Sequence, residues 1–220
     1  MQYPIKGRQL YNMVLAHPDT QFDSEESWTA RGSKDQLLKD FEGWDPELEK
    51  LLHFCPPGEV MRWKLCDHDI LPTWVQGKFA LMGDSWYRFL CCVSNVSHPM
   101  LPYVAQGAAQ AVEDAAVLGN VLSRITSKND IHVALKAYEL ARKERAEKVQ
   151  STAGYTRTIL HYPDGSEQVM RDKAFAAVAT GGQNPDMWGD PAAQRFLWSF
   201  DVEKDFDENF ECTDPPMNVV

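Results

Sequence analysis

The chain has 220 residues, a formal net charge of −10, and 44% hydrophobic and 11% aromatic content, enough apolar material for one large core or two small ones. The acidic balance disfavours phosphate-backbone and anionic-membrane partners, because both depend on clustered Lys and Arg. The start MQYPIKGRQLYN lacks an apolar signal core, no run is long enough to cross a bilayer, and Cys55, Cys66, Cys91, Cys92 and Cys212 show no CxxC pairing, so a soluble intracellular, cytoplasmic protein with reduced thiols is expected.

Residues 10–16 are rich in strand formers, with Tyr11, Met13 and Leu15 on one face before His17 and Pro18 end the run. Ser33 and Gln36 have the spacing of a capping box for a short helix through Phe41, and Asp45 with Pro46 opens another that must stop near Pro56. His53, Cys55, Cys66 and His68 lie close in sequence, but their spacing fits no standard zinc site and no metal is expected. Met61, Trp63 and Leu65 alternate as a strand, and the apolar run Phe79, Ala80, Leu81, Met82 reads as a buried strand. Gly83 then lets the chain turn so that Asp84 presents a carboxylate at the strand's carboxyl end, where ligands of α/β sheets gather.

Gln106 and Gly107 open a helix reaching about Ile125, whose free N–H groups and positive dipole end can face negative charge. Ala108, Ala109, Ala111, Ala115, Ala116 and Gly119 keep that helix slim, and Glu113 and Asp114 inside it are expected to form structural pairs. Asn129 or Asp130 caps a further helix with Ile131, Leu135, Tyr138 and Ala141 on one face and supporting pairs Glu139 to Lys143 and Glu144 to Lys148. The basic residues Arg142, Lys143, Arg145 and Lys148 are interleaved with acids and read as a solvated face rather than a nucleic-acid patch. Turn signals at 163–165 and 181–185 break the pattern, and the acidic end with Pro215 and Pro216 reads as loosely ordered.

Gly83, Asp84, His98, Pro99, Pro102, Gln106, Gly107, Ala108, Glu113, Asp114 and Ala115 together resemble the flavin-proximal motif of the FAD-dependent aromatic hydroxylases, the flavoprotein monooxygenases of the salicylate hydroxylase kind. The resemblance implies that Asp84, following Gly83, hydrogen-bonds a ribitol hydroxyl of FAD. It implies that the backbone at Pro102, Ala105, Gln106, Gly107 and Ala108 lines the isoalloxazine ring, and that His98 and Pro99 shape the loop. NAD(P)H and O2 would be the co-substrates for hydroxylating a small aromatic ring. Tyr11 and Met13 would belong to the substrate-domain sheet and touch that ring, although ordinary packing is the reading their own pattern favours. Residues 196–203 are similar to an aromatic-then-acidic run in fungal members of the family.

Three departures accompany the resemblance. Residues 85–97, thirteen in all, stand where the family has a couple, as either a genuine extension or the product of misread splicing. His68, between Asp67 and Asp69, stands where an arginine is usual, which removes a bidentate contact. No GxGxxG occurs anywhere in the chain, so the phosphate cradle built from a glycine turn and a helix N-terminus is missing.

The expected fold class is α/β (α+β mixed), a partial FAD/NAD(P)-binding fold of the aromatic hydroxylase type lacking the N-terminal GxGxxG unit: the C-terminal half of a monooxygenase. Residues 1–72 would be the remainder of the substrate-binding sheet with two short helices, 73–125 the second part of the FAD-binding domain, and 126–220 the C-terminal helices and acidic tail. Two alternatives stand beside this reading: a non-catalytic remnant acting as an interaction or structural module, and a small enzyme completed by another chain. Loss of the nucleotide-binding strands leaves apolar edges, so self-association is expected.

Overall fold

The computed structural model describes residues 1–18, 30–67, 69–83, 98 and 100–209. They fall into two compact units, Met1–Leu65 and Cys66–Val220. Among the described residues no helix is long and apolar enough to cross a membrane.

The first unit begins with an antiparallel hairpin of β1 (Gln2–Ile5) and β2 (Leu10–Met13), in which Tyr11 lies opposite Pro4 and Met13 opposite Gln2. β2 stops three residues short of the expected strand over 10–16, and bonds between Val14 and the backbone of Met1 continue its ladder by one residue. β3 (Arg31–Ser33) pairs antiparallel with β4 (Glu59–Met61), with Arg31 opposite Met61. The expected alternating strand therefore ends at Met61. One further bond, Arg62 N–H to the Ala30 carbonyl, closes the described ladder, and Trp63 and Leu65 lie beyond it as exposed side chains.

Both short helices of this unit start where their caps place them. Ser33 Oγ accepts the Gln36 N–H at 3.1 Å ahead of α1 (Lys34–Asp40), but the Gln36 amide reaches forward to Asp40 rather than back to Ser33, so only half of the capping box forms. Asp45 Oδ1 accepts the N–H groups of Glu47 and Leu48 ahead of α2 (Pro46–His53). The apolar faces of α1 and α2 enclose Phe41 and Leu52, with Trp44 edge-on to the Phe41 ring at 4.9 Å.

The second unit is mostly helical. β5 (Val75–Gln76) and β6 (Phe79–Ala80) form a tight antiparallel hairpin, and the turn between them opens with Gly77 at φ +61°, a left-handed conformation that glycine adopts at no steric cost. The expected buried strand over 79–82 is thus corrected. Only Phe79 and Ala80 are strand, Phe79 is 52% exposed and Met82 is exposed too. A run of four apolar residues is buried on both faces only when layers cover both faces. Here helices cover one side, where Ala80 and Leu81 pack with Trp74, Val117, Val121 and Tyr138.

A 3-10 turn, Pro102–Val104, leads into α3 (Gly107–Ser123), which packs against α4 (Ile131–Leu160). Ser127 Oγ, rather than Asn129 or Asp130, caps the short 3-10 segment that runs into α4. α5 (Ser166–Val178), α6 (Pro191–Trp198) and α7 (Val202–Asn209) follow the two expected breaks. One core gathers around Trp74, Val117 and Tyr138, and a second around Leu101, Val104, Val149 and Leu197. Residues on either side of position 125 share the first of these cores, because α3 and α4 lie side by side.

Candidate functional site

One carboxylate of α3, that of Asp114, joins the Gly83 turn, His98 and α4. Past β6, the Leu81 N–H bonds the Trp74 carbonyl at 2.9 Å and the Tyr138 hydroxyl donates to the Leu81 carbonyl at 3.0 Å. The chain then turns at Gly83, whose φ of +70° confirms the turn expected there. The Gly83 N–H donates to Asp114 Oδ2 at 2.8 Å, and His98 Nε2 lies 2.8 Å from the same oxygen. Asp114 sits two turns into α3, fully buried, and its other oxygen accepts from Arg142 Nε of α4 at 2.9 Å.

Arg142 is itself wholly enclosed and donates to Gln110 Oε1 at 2.7 Å, with Glu113 Oε2 also 2.7 Å away. Arg145 then grips Glu113 through two bonds of 2.8 and 2.9 Å, donates to the Phe196 carbonyl, and lays its guanidinium 3.7 Å from the centre of the Phe200 ring. The solvated basic face expected on α4 is therefore corrected. Two of its four cations are buried, because α3 presents Glu113 and Asp114 toward them.

The pairs expected along α4 also differ. Glu139 is buried and accepts from the Thr73 hydroxyl, the Trp74 N–H and Lys136, so it fastens the hairpin segment to α4. Lys143 pairs with Glu147, and Lys148 lies over the Phe196 ring.

Burial alone would raise the pKa of Asp114, but the hydrogen bond and charge interaction with His98 and the Arg142 guanidinium outweigh it and hold the carboxyl below the ordinary aspartate range. At Glu139 burial likewise pushes up, and the bonds from Lys136, Thr73 and Trp74 carry the net shift down. Burial and the nearby Arg157 charge both lower the pKa of His161. At Tyr103, burial raises it against the opposing pull of Arg157.

The start of α3 is built by the preceding turn. Val104 is fully buried in the second core, which pins the 3-10 turn, while Tyr103 OH meets His161 Nε2 at 2.9 Å. Ala105 then adopts a left-handed backbone at φ +48°, ψ +38°, a conformation that costs a residue with a Cβ roughly 1–2 kcal/mol. This reversal delivers Gln106 to the N-cap position of α3, where no side chain caps the helix. Gly107 follows half-buried, and Ala108 is exposed.

The Gln106 side chain is 1% exposed, and neither its Oε1 nor its Nε2 has a hydrogen-bond partner among the described residues. A buried amide with both ends unsatisfied costs stability unless another group completes it. Such an amide, next to uncapped helical N–H groups and a strained turn, fits a polar planar ligand bearing hydrogen-bond donors and acceptors.

Of the residues singled out from sequence, Gly83, Pro102, Ala105, Gln106, Gly107 and Ala108 all belong to the second unit, and Asp114 ties the first of them to the helix that the others begin. Asp84 and Pro99 lie outside the described residues, as do His68 and the insert at 85–97. Tyr11 and Met13 sit on β2 of the first unit, Tyr11 exposed and Met13 half-buried. His98 and Asp114 have the architectural roles expected of them. Sequence reading missed Arg142, Arg145 and Glu139. A signal existed for the first two: Glu113 and Asp114 are the only charged residues of α3, and buried acids need cations.

No protein-family model matches the chain. Its homologues are FAD-dependent monooxygenases, and the chain belongs to their family, its mixed helix-and-strand fold being part of theirs. It is 40% identical over 200 residues to the FAD-dependent monooxygenase atnJ of Arthrinium sp, a match covering 91% of this chain and 44% of that protein. It is 37% identical over 152 residues to 6-hydroxynicotinate 3-monooxygenase of Bordetella bronchiseptica, covering 68% of this chain and 36% of that one. The crystal structure of FqzB is similar with a TM-score of 0.61 and 25% identity, over 86% of this chain and 40% of that chain. The chain thus spans less than half the length of the curated relatives it matches.

Proposed function

We propose that this chain is the flavin-facing portion of an FAD-dependent monooxygenase that hydroxylates a small aromatic or heteroaromatic ring. The observation that carries the reading is the buried, unpartnered Gln106 amide at the uncapped start of α3, with the Gly83 turn held to the same helix through Asp114. Homology to FAD-dependent monooxygenases, one of them named for 6-hydroxynicotinate, supports the cofactor and the substrate class.

FAD, when bound, supplies the redox chemistry, taking a hydride from NAD(P)H and activating O2. The chain's residues do the holding. Ala105, Gln106, Gly107 and Ala108 offer backbone N–H groups and the helix dipole to the electron-rich edge of the ring, where negative charge collects on reduction. Pro102 and the buried Val104 fix the path of that turn. Asp84, next in sequence to the Gly83 turn, is the proposed acceptor for a ribitol hydroxyl. Tyr11 and Met13 of β2 are the proposed contacts for the aromatic substrate. No nucleophile or metal is required, and His98, wholly occupied with Asp114 on one side of its ring, supports the loop. A net charge of −10 keeps nucleic acid and anionic membranes out of the list of partners, and a cytoplasmic location accommodates the NAD(P)H requirement.

The test is an FAD titration of the full chain, followed by flavin absorbance after gel filtration, alone and with the glycine-rich portion of a relative. Because the chain has no GxGxxG, weak binding alone and flavin retention only in the combined sample are expected. Absence of flavin from the combined sample, with both polypeptides folded, would sink the proposal.

A further inference from the structure

The turn ahead of α3 is tied to α4 at two adjacent residues. Val104 packs in the second core with Val149 and Ala153 of α4. Tyr103, the middle residue of the 3-10 turn, reaches the other way, to the C-cap of α4, where its hydroxyl lies 2.9 Å from His161 Nε2 and the two rings meet edge-on with centroids 5.5 Å apart. His161 is itself a fixed point. Its backbone N–H donates to the carbonyls of Arg157 and Thr158 at 3.1 and 3.3 Å, and Arg171 of α5 donates to the carbonyls of Ile159 and Leu160 just before it. Both ties act immediately ahead of Ala105, whose left-handed backbone is unfavourable for a residue with a Cβ and persists only where its neighbours over-determine it.

The surroundings of the pair select one arrangement of its protons. Partial burial, and then the Arg157 charge, lower the pKa of His161, while burial raises that of Tyr103 against the pull of Arg157, so a protonated hydroxyl meets a neutral ring. The tyrosine is then the donor and Nε2 the acceptor, with the ring proton on Nδ1. A protonated ring offers the hydroxyl no lone pair and carries its charge beside Arg157. The charged groups near the pair are Arg157 on α4 and, from α5, Arg171, which is paired with Asp172. The turn itself contributes no charged side chain.

We propose that His161 is a positioning residue for the flavin-facing turn: its neutral imidazole accepts the Tyr103 hydroxyl and so holds Ala105 and the first N–H groups of α3 in place, and protonation of the ring releases that hold. The role toward flavin rests on the reading of the chain as part of an FAD-dependent monooxygenase, whereas the hold on the turn is a property of the chain alone. The sign of the pH dependence follows from the depressed pKa of His161. The hold is fully present above the ordinary histidine value of about 6.5 and is lost as pH falls through the lower folded value.

The test follows amide hydrogen exchange of the full chain from about pH 8 to about pH 5, with each rate divided by its intrinsic value. The Ala105 N–H, bonded to the Pro102 carbonyl, reports the turn, and the Gln110 N–H, bonded to the Gln106 carbonyl, reports the first bond of α3. Wild-type protection at both is expected to fall about fivefold across the titration of His161, the order of one neutral hydrogen bond. Tyr103→Phe is expected to show the lower protection at every pH with no step. His161→Gln, whose amide oxygen can accept the hydroxyl without titrating, is expected to keep the high protection throughout. Unchanged protection in Tyr103→Phe, or a pH step that survives in His161→Gln, would overturn the proposal. So would a loss shared equally by amides around Ala146 in the middle of α4, which would mark a general loosening of the fold. Flavin content of each variant combined with the glycine-rich portion of a relative is read separately by absorbance, and FAD affinity is expected to track the Ala105 protection. If the exchange pattern holds but the combined wild type takes up no flavin, the hold on the turn stands and the flavin reading fails. If flavin is retained while exchange is indifferent to Tyr103→Phe, the flavin reading stands and the positioning role of His161 fails.

Discussion

Asp114 has both carboxylate oxygens committed, one to the Gly83 N–H and His98, the other to Arg142. Removing one member of a buried, hydrogen-bonded ion pair leaves an uncompensated charge, which costs about 3–5 kcal/mol. Arg142→Met is therefore expected to lower the unfolding free energy of the chain by that order in urea titrations, and a loss below about 1 kcal/mol would place the pair in the class of exposed salt bridges instead. The sign of the pH dependence follows from the direction of the shift. Because the folded-state pKa of Asp114 is depressed, its contribution is fully present above the ordinary aspartate value of about 4 and is lost as pH falls through the lower folded value. Glu139, also depressed, acts in the same sense. Acid titration of stability is expected to show a steep loss below about pH 4 that Asp114→Asn flattens. At this scale much was legible. Glu113 and Asp114 stand alone as charges in a small-residue helix, which marks them for pairing, and Gly83 announces its own turn. Arg142 and Arg145 were hidden because each has an acid nearby in sequence, and local pairing competes with the long-range pairing that the packing of α3 against α4 selects.

Helices were easier to locate than strands because their signals are local. Asp45 before Pro46, read from sequence as a helix start, caps α2 with side-chain bonds to the first free N–H groups, and Asp190 before Pro191, which the sequence reading passed over, caps α6 in the same way. Asp190→Ala is expected to cost about 1 kcal/mol and to loosen the seat of Leu197 in the second core, measurable as a lower melting temperature and faster amide exchange in α6. Unaltered exchange there would mean that the core alone holds the helix. Strands depend on what lies opposite. The last described bond beyond β4 is to Ala30, and among the described residues the run 79–82 packs through Ala80 and Leu81 while Phe79 and Met82 are exposed. Propensity and alternation suggested longer strands at those positions than form, because pairing length is set by partners remote in sequence.

At the scale of the molecule, the residues of the motif turn proposed to meet the flavin belong to the second unit. The motif turn is strained at Ala105, anchored by Val104, and presents a buried amide with no partner at Gln106. Strain and unsatisfied polarity persist where function repays them. The class of fold was legible through the resemblance of the motif to that of the FAD-dependent aromatic hydroxylases, and the Gly83 turn through glycine's own conformational freedom. The burial of the Gln106 amide was not, since burial depends on packing by residues remote in sequence. The most direct measurement is the flavin content, after gel filtration, of the chain combined with a glycine-rich dinucleotide-binding portion, comparing wild type with Asp84→Ala and Gln106→Leu. Near-stoichiometric flavin with the wild type and a marked drop with both variants is the expected result. Equal flavin in all three samples would contradict the assignment of Asp84 and the α3 N-terminus to one cofactor.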